Sequence, residues 1–272
     1  MNFDSKLYQE TWQTIDRLSI AHNINIANST PLFIFNSIPS TNTKLWELID
    51  RGDKCPIGAI AYEQTAGKGQ WGHSWISTEG GLYLSVGLDL DLEINNYPHL
   101  VMATAWGIAT VLRQCKLPVT IKWSNDLIVN CRKLGGIKIE TRIINNKLKK
   151  AVVGVGINWR NQVPEPGINL ETYYRDKDFK KINSLEELTA ITAYGIVLGY
   201  EYYLAVGIEK LLDKYLKILG SLGQEVNFNG CLGEVIGVTT AGKLRVKLRS
   251  PGSSTEIAIA PGQISLGYGE TP

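Results

Sequence analysis

Gln64-Thr65-Ala66-Gly67-Lys68-Gly69-Gln70-Trp71-Gly72-His73-Ser74-Trp75 is the stretch on which the reading of the fold turns. Gly67, Gly69 and Gly72 spell G-x-G-x-x-G, the spacing of a dinucleotide-binding turn. That motif needs a helix to open inside it, so that a pyrophosphate rests on the helix N-terminus. Here His73 to Gly81 holds Ser74, Ser77, Thr78 and a Gly80-Gly81 pair, and it runs into an alternating apolar strand. A nicotinamide-dependent dehydrogenase is therefore set aside. What remains is a glycine-rich loop over 65–81, and long loops inside compact domains are usually functional. Its bare backbone N–H groups can approach an anion or a polar ring closely, and Lys68 adds positive charge.

The flanks of the loop read as strands, Ile57–Gln64 before it and Leu82–Leu90 after it. Upstream, Tyr8, Trp12, Ile15 and Leu18 recur at helical spacing, followed by a polar link and a strand over Leu32–Asn36. Ser40-Thr41-Asn42-Thr43 is a run of N-cap residue types opening a helix over Lys44–Asp50. Downstream come a helix over Pro98–Cys115, a strand over Val119–Val129, and a hairpin of Lys133–Ile143 and Lys149–Asn158 turning at Asn145-Asn146. Ser184-Leu185-Glu186-Glu187 is a capping box for a long helical region reaching about Leu219. From Gly220 the pattern changes to short strands split by Gly, Pro, Ser and Asn. The expectation is an α+β fold, a mixed or mainly antiparallel sheet backed by helices, with a small C-terminal β-barrel. The predicted divisions are 1–31, 32–220 and 221–272.

With 28 basic and 26 acidic residues among 272, the chain is too balanced for a polyelectrolyte binder of nucleic acid or anionic membrane. Cys55, Cys115, Cys131 and Cys231 stand singly, and His22, His73 and His99 show no ligand spacing, which argues against zinc or a redox dithiol. The first residues lack a signal-peptide layout. Leu100–Leu112 is too short to span a bilayer, and Leu188–Ala205 reads as a buried or amphipathic helix. A cytoplasmic, membrane-free location is expected.

Three more motifs carry chemistry. Lys122-Trp123-Ser124-Asn125-Asp126 ends a β-branched strand; its Asn and Asp are turn formers or groups that hold ribose, phosphate or Mg²⁺. In Arg132-Lys133-Leu134-Gly135-Gly136 the lysine lies along a bare glycine surface and can meet a carboxylate or phosphate as a point charge. In Val153-Gly154-Val155-Gly156-Ile157-Asn158 alternating glycines mark close approach of a ligand or another backbone.

The order and spacing of Ser40-Thr-Asn42, Gln64-Thr-x-Gly-x-Gly-x-x-Gly-x-x-Trp75, Lys122-Trp-x-Asn-Asp126, Arg132-Lys-Leu-x-Gly136 and Gly154-x-Gly-Ile-Asn158 closely resemble the biotin protein ligase family. The similarity runs from about residue 32 to 170 and returns at Gly262-Gln263-Ile264-Ser265-Leu266. It implies an ATP-dependent, Mg²⁺-using enzyme that makes biotinyl-5′-AMP and passes the biotinyl group to a lysine of the biotin carboxyl carrier protein of acetyl-CoA carboxylase. By position, the resemblance assigns biotin to Ser40, Thr41, Asn42, Gln64, Lys68, Gly69, Gln70, Trp75, Gly154 and Gly156. It assigns the nucleotide to Gly67, Gly69, Gly72, Lys122, Asn125, Asp126 and Asn158. Lys133 is expected to contact the biotin carboxylate and the adenylate phosphate, and Asp126 to act beside it and to face Mg²⁺. An edge-strand homodimer is compatible with the family.

One departure stands out. The family's loop is typically of the form GRGRxGR, whereas here it is Gly67-Lys68-Gly69-Gln70-Trp71-Gly72-His73. Three arginine forks are lost, and weaker retention of the adenylate is expected. Two alternatives follow: a biotin binder or sensor without the chemistry, and a lipoate or octanoate ligase of similar fold. The second typically has an arginine-rich Ser-Gly-Gly-Gly-type motif that this sequence lacks. The 31 residues before Leu32 carry two basic against three acidic side chains and are half the length of a helix-turn-helix domain, so no DNA binding is expected.

Overall fold

The computed structural model describes residues 3–18, 24, 26, 28–175, 177, 182–250 and 253–268; His22 and most of the polar link lie outside these. The main element is a seven-stranded mixed sheet of β1 (Leu32–Ile38), β2 (Ile57–Gln64), β3 (Leu82–Glu93), β4 (Thr120–Lys122), β5 (Asp126–Val129), β6 (Arg132–Ile144) and β7 (Lys147–Ile157). Its spatial order is β1-β2-β3-β7-β6-β5-β4. Only β1 and β2 run parallel, and every other neighbour is antiparallel. The β6–β7 hairpin turns at Asn145-Asn146, both left-handed, as an Asn-Asn turn favours.

Strict alternation assigns the two faces of this sheet. Leu82, Leu84 and Val86 of β3, Val153 and Val155 of β7, and Ile137 and Ile139 of β6 join the main apolar core. They pack beneath α3 (Tyr97–Gln114) and α5 (Leu185–Leu216), the short α4 (Leu170–Tyr174) preceding α5 in the chain, and α1 (Ser5–Leu18) rests on α5 through Trp12 against Tyr194 at 5.2 Å. The opposite face carries α2 (Thr41–Arg51), whose Leu45, Leu48 and Ile49 form a smaller core with Ile57, Ala59 and Val152. On that face β3 offers Ser85 and Gly87, and β7 offers Gly154 and Gly156.

The α5 capping box forms as expected, with Glu187 N donating to Ser184 Oγ at 3.1 Å. Its Glu187 carboxylate reaches back to the N–H of Asn183, one residue before the cap. A left-handed Gly207 interrupts α5. By length and composition α5 could cross a membrane, but its most apolar window is 67% buried inside the protein, as a core helix is.

Two expectations are corrected. Val119–Val129 is not one strand: a turn at 123–125 folds it into the β4–β5 hairpin, with Lys122 opposite Asp126. Ser124 and Asn125 are the turn formers responsible. The C-terminal strands, β8 (Glu225–Phe228), β9 (Cys231–Val238), β10 (Leu244–Ser250) and β11 (Ser253–Ile259), make an open antiparallel sheet of order β11-β10-β9-β8, not a barrel. Four strands, one of them four residues long, are too few to tilt and close around an interior.

Candidate active site

The glycine loop folds back on itself. Trp75 N donates to Gly67 O at 2.9 Å and Gly69 N to His73 O at 2.7 Å, with the left-handed, exposed Trp71 at its tip. The loop is pinned over the sheet where Gln70 Nε2 donates to Ile137 O (3.1 Å) and Lys138 Nζ to Gly69 O (3.1 Å).

Beneath it lies a polar cavity of about 60 Å³. One wall is the N-terminus of α2 with the end of β2: Ser40, Thr41, Asn42 and Gln64. The loop contributes Lys68, Gly69, Gln70 and Trp75, and the floor is Gly154 and Gly156 of β7 with Gly136 of β6. The far end is closed by Asn125, Asp126 and Lys133. The floor glycines have a direct steric cause. A Cβ on Gly154 would sit 2.2 Å from Asn42 Oδ1, and one on Gly156 would sit 2.4 Å from Trp75 Nε1. The bare strand lets these two side chains lie flat against the sheet.

A buried polar network fixes the α2 wall. Gln64 Oε1 accepts from Thr41 N (2.8 Å) and from Thr41 Oγ1 (3.1 Å), while Gln64 Nε2 donates to Ser77 Oγ (2.8 Å). Ser85 Oγ lies 2.8 Å from Thr41 Oγ1 and 2.6 Å from Asn42 Oδ1. Ser40 occupies the N-cap without committing its side chain to the helix. Two buried donors, Asn42 Nδ2 and Trp75 Nε1, have no protein partner. An unsatisfied buried donor costs about 1–3 kcal/mol, so a ligand that brings acceptors would be rewarded here.

Charge gathers at the far end. A β-bulge between β5 and β6 makes Leu134 the extra residue and turns Lys133, rather than Leu134, to the site face. Lys133 Cε lies 3.6 Å from where a Gly136 Cβ would be. Its Nζ is 2.9 Å from Asp126 Oδ1 and 5.3 Å from the Trp75 ring centroid. Asp126 Oδ2 accepts from Tyr268 Oη at 2.8 Å. Lys122 Nζ is 3.8 Å from Asp126 and 3.6 Å over the Tyr268 ring. Burial holds the Lys122 ammonium below its usual pKa, with Asp126 opposing that shift; burial and then the Asp126 charge push the Tyr268 phenol up.

A second cavity, about 240 Å³, adjoins the first across Trp75 and Lys133, which line both. Asn158, Asn161 and Val163 are among its other walls, and Asn161 Nδ2 donates to Asn158 Oδ1 at 3.2 Å. Its mixture of amide and apolar surface suits a heteroaromatic base.

The structure thus brings most of the expected residues into one cavity, but not all. Asn158 belongs to the second cavity. Lys122 faces Asp126 and Tyr268 and does not line the polar cavity. Gly67 and Gly72 line neither cavity: a Cβ on Gly67 would meet Trp75 O at 2.4 Å, and Gly72 is left-handed. Asp126 is a single carboxylate already engaged on both oxygens, and the described residues hold no group of three metal-ligating side chains. A single carboxylate fits Mg²⁺ that is carried on a triphosphate, with Asp126 as one oxygen ligand.

Four residues escaped the sequence reading. Ser77 and Ser85 buttress Gln64 and Thr41, and Lys138 gives the cavity a cation beside Gln70. A serine in the run Leu82–Leu88, whose other residues are Leu, Tyr, Val and Gly, was the signal available for Ser85. Tyr268 had none, since it lies 142 residues from its partner.

The fold this geometry builds is that of the biotin protein ligases. It superposes on the biotin protein ligase of Aquifex aeolicus, solved with biotin and ATP, with a TM-score of 0.68 at 21% identity, covering 87% of this chain and 98% of that one. The family model for the biotin/lipoate A/B protein ligases matches residues 34–158. Among characterised relatives, the bifunctional ligase/repressor BirA of Bacillus spizizenii is 26% identical over 216 residues, which are 76% of this chain and 66% of the relative. BirA of Escherichia coli is 36% identical over 126 residues, 44% of this chain and 38% of the relative. The chain therefore spans less than two thirds of the length of these relatives.

Proposed function

We propose that this protein is an ATP-dependent biotin–protein ligase. In the first step the biotin carboxylate oxygen attacks the α-phosphorus of ATP, the bond to the β-phosphate oxygen breaks, and pyrophosphate leaves. In the second, a lysine amine attacks the acyl carbon, the acyl–oxygen bond breaks with release of AMP, and the amine proton passes to solvent. The acceptor is the biotin carboxyl carrier protein.

The observation that carries this reading is the place of Lys133, on the seam between the polar cavity and the second, base-sized one. An acid lying in the first and a nucleotide in the second would join beside its ammonium. That fixed charge, with Trp75 against it, stabilises the negative charge gathered when carboxylate and phosphate are crowded together. The polar wall of Thr41, Asn42 and Gln64 suits a bicyclic urea with both donors and acceptors better than the alkyl chain of octanoate or lipoate. The loop over the cavity would keep water from the mixed anhydride. Mg²⁺, arriving with ATP, would neutralise phosphate charge near Asp126. A cytoplasmic setting is supported by four free cysteines.

The test is direct. Incubated with Mg·ATP, biotin and a biotin carboxyl carrier domain, the protein should raise the carrier's mass by one biotinyl group, and lysine-to-arginine replacement on the carrier should abolish this. Octanoate and lipoate should not substitute. The arginine-poor loop favours one second reading, a biotin binder without chemistry, which would bind biotin yet leave the carrier unmodified.

A further inference from the structure

We propose that Tyr268 is a positioning residue for the nucleotide side of the site, holding Asp126 and Lys122 so that Lys133 keeps its place between the two cavities. The inference rests on the ligase reading above. Tyr268 comes from the segment after β11, outside the family-matched residues 34–158. Two contacts anchor that segment: Leu266 is buried in the core, and Gln224 Nε2 donates to Gly267 O at 3.3 Å.

Tyr268 has two separable contacts. Its hydroxyl donates to Asp126 Oδ2 at 2.8 Å, on the carboxylate whose Oδ1 lies 2.9 Å from Lys133 Nζ. Its ring lies 3.6 Å from Lys122 Nζ, a short cation–π contact. Asp126 thus sits between two lysines, 2.9 Å and 3.8 Å away, that compete for it. The tyrosine hydroxyl fixes the plane of the carboxylate, and the ring gives Lys122 a second partner, so that Asp126 stays oriented toward Lys133. Without the hydroxyl the carboxylate is free to pivot and carry Lys133 off the seam. Without the ring Lys122 loses the surface that places its charge.

The experiment compares wild type, Tyr268→Phe and Tyr268→Leu in biotin-dependent ATP–pyrophosphate exchange, in Mg·ATP affinity by calorimetry, and in Tm. Phe keeps the ring and removes the hydroxyl. It should lower kcat about tenfold, with KM for ATP unchanged and Tm lowered by only a few degrees, the scale of one hydrogen bond to a charged group in a chain of this size. Leu should show the same kcat loss and also weaken Mg·ATP about tenfold, a defect that Phe does not share. A Phe variant with wild-type kcat, or a Leu variant with wild-type Mg·ATP affinity, overturns the proposal. If wild type shows no biotin-dependent exchange, the ligase reading fails, and Mg·ATP affinity still decides the role of the ring. A wild type that binds no Mg·ATP overturns both.

Discussion

On one face of the large sheet Leu84, Val86, Val153 and Val155 meet α3 and α5; on the other the same strands present Ser85, Gly154 and Gly156 beneath α2 and the glycine loop. Both faces use glycine, to different ends. Between the helices, a Cβ on Gly107 would lie 2.1 Å from Gly195 O, and one on Gly195 would lie 2.6 Å from Ile108 Cα. There, glycine lets two backbones touch and close an apolar interface. In the site, glycine lets Asn42 and Trp75 lie on the sheet while their Nδ2 and Nε1 groups remain without protein partners. The helix face spends its close packing on stability. The site face leaves buried donors uncompensated until a ligand arrives, which is how a binding site differs from a core.

Three substitutions and one rate would break or sharpen that contrast. Gly195→Ala should have the largest effect on the fold, destabilising the protein by about 1–3 kcal/mol through overpacking against Ile108, read as a lower midpoint in urea. Its KM for biotin should stay at the wild-type value; a shifted KM would mean that the two faces are not independent. Gly154→Ala should do the reverse, weakening biotin at least about tenfold, or 1.4 kcal/mol, as Asn42 is displaced, with a smaller loss of stability. Ser85→Ala removes a hydroxyl shared by Thr41 and Asn42 and should cost about 1 kcal/mol, appearing as an approximately fivefold higher Kd for biotin in calorimetry. The smallest expected effect is kinetic. With Lys68 and Gln70 in the loop, biotinyl-5′-AMP should dissociate faster than from a homologue whose loop carries arginines; an equally slow release would show that Lys138 and the loop backbone supply the missing contacts.

Much of this architecture was readable from local pattern. The β2 boundaries Ile57 and Gln64, the Asn145-Asn146 hairpin and the Ser184 cap follow from short-range chemistry, and each forms. The convergence of Ser40, Gln64, Trp75, Asp126 and Lys133 on one cavity was implied by the family resemblance and not by local pattern, because the motifs lie far apart in the chain and only the topology gathers them. What was not readable depends on distance or on a single extra residue. The bulge at Leu134 that aims Lys133 is set by pairing with β5. Tyr268 reaches Asp126 only because the C-terminal sheet folds back on the site. That sheet shows the limit from the other side: short strands and turn residues imply an antiparallel unit, but closure depends on strand number and tilt, which local pattern does not carry.

In the proposed ligase, Lys133 sits where the activated acid and the nucleotide meet. Biotin-dependent ATP–pyrophosphate exchange, with wild type beside Lys133→Ala, tests it most directly. Wild type should show exchange with biotin, and the alanine variant a drop in kcat on the order of 10²–10³-fold with its melting temperature preserved. Wild-type exchange that persists undiminished in Lys133→Ala would contradict it.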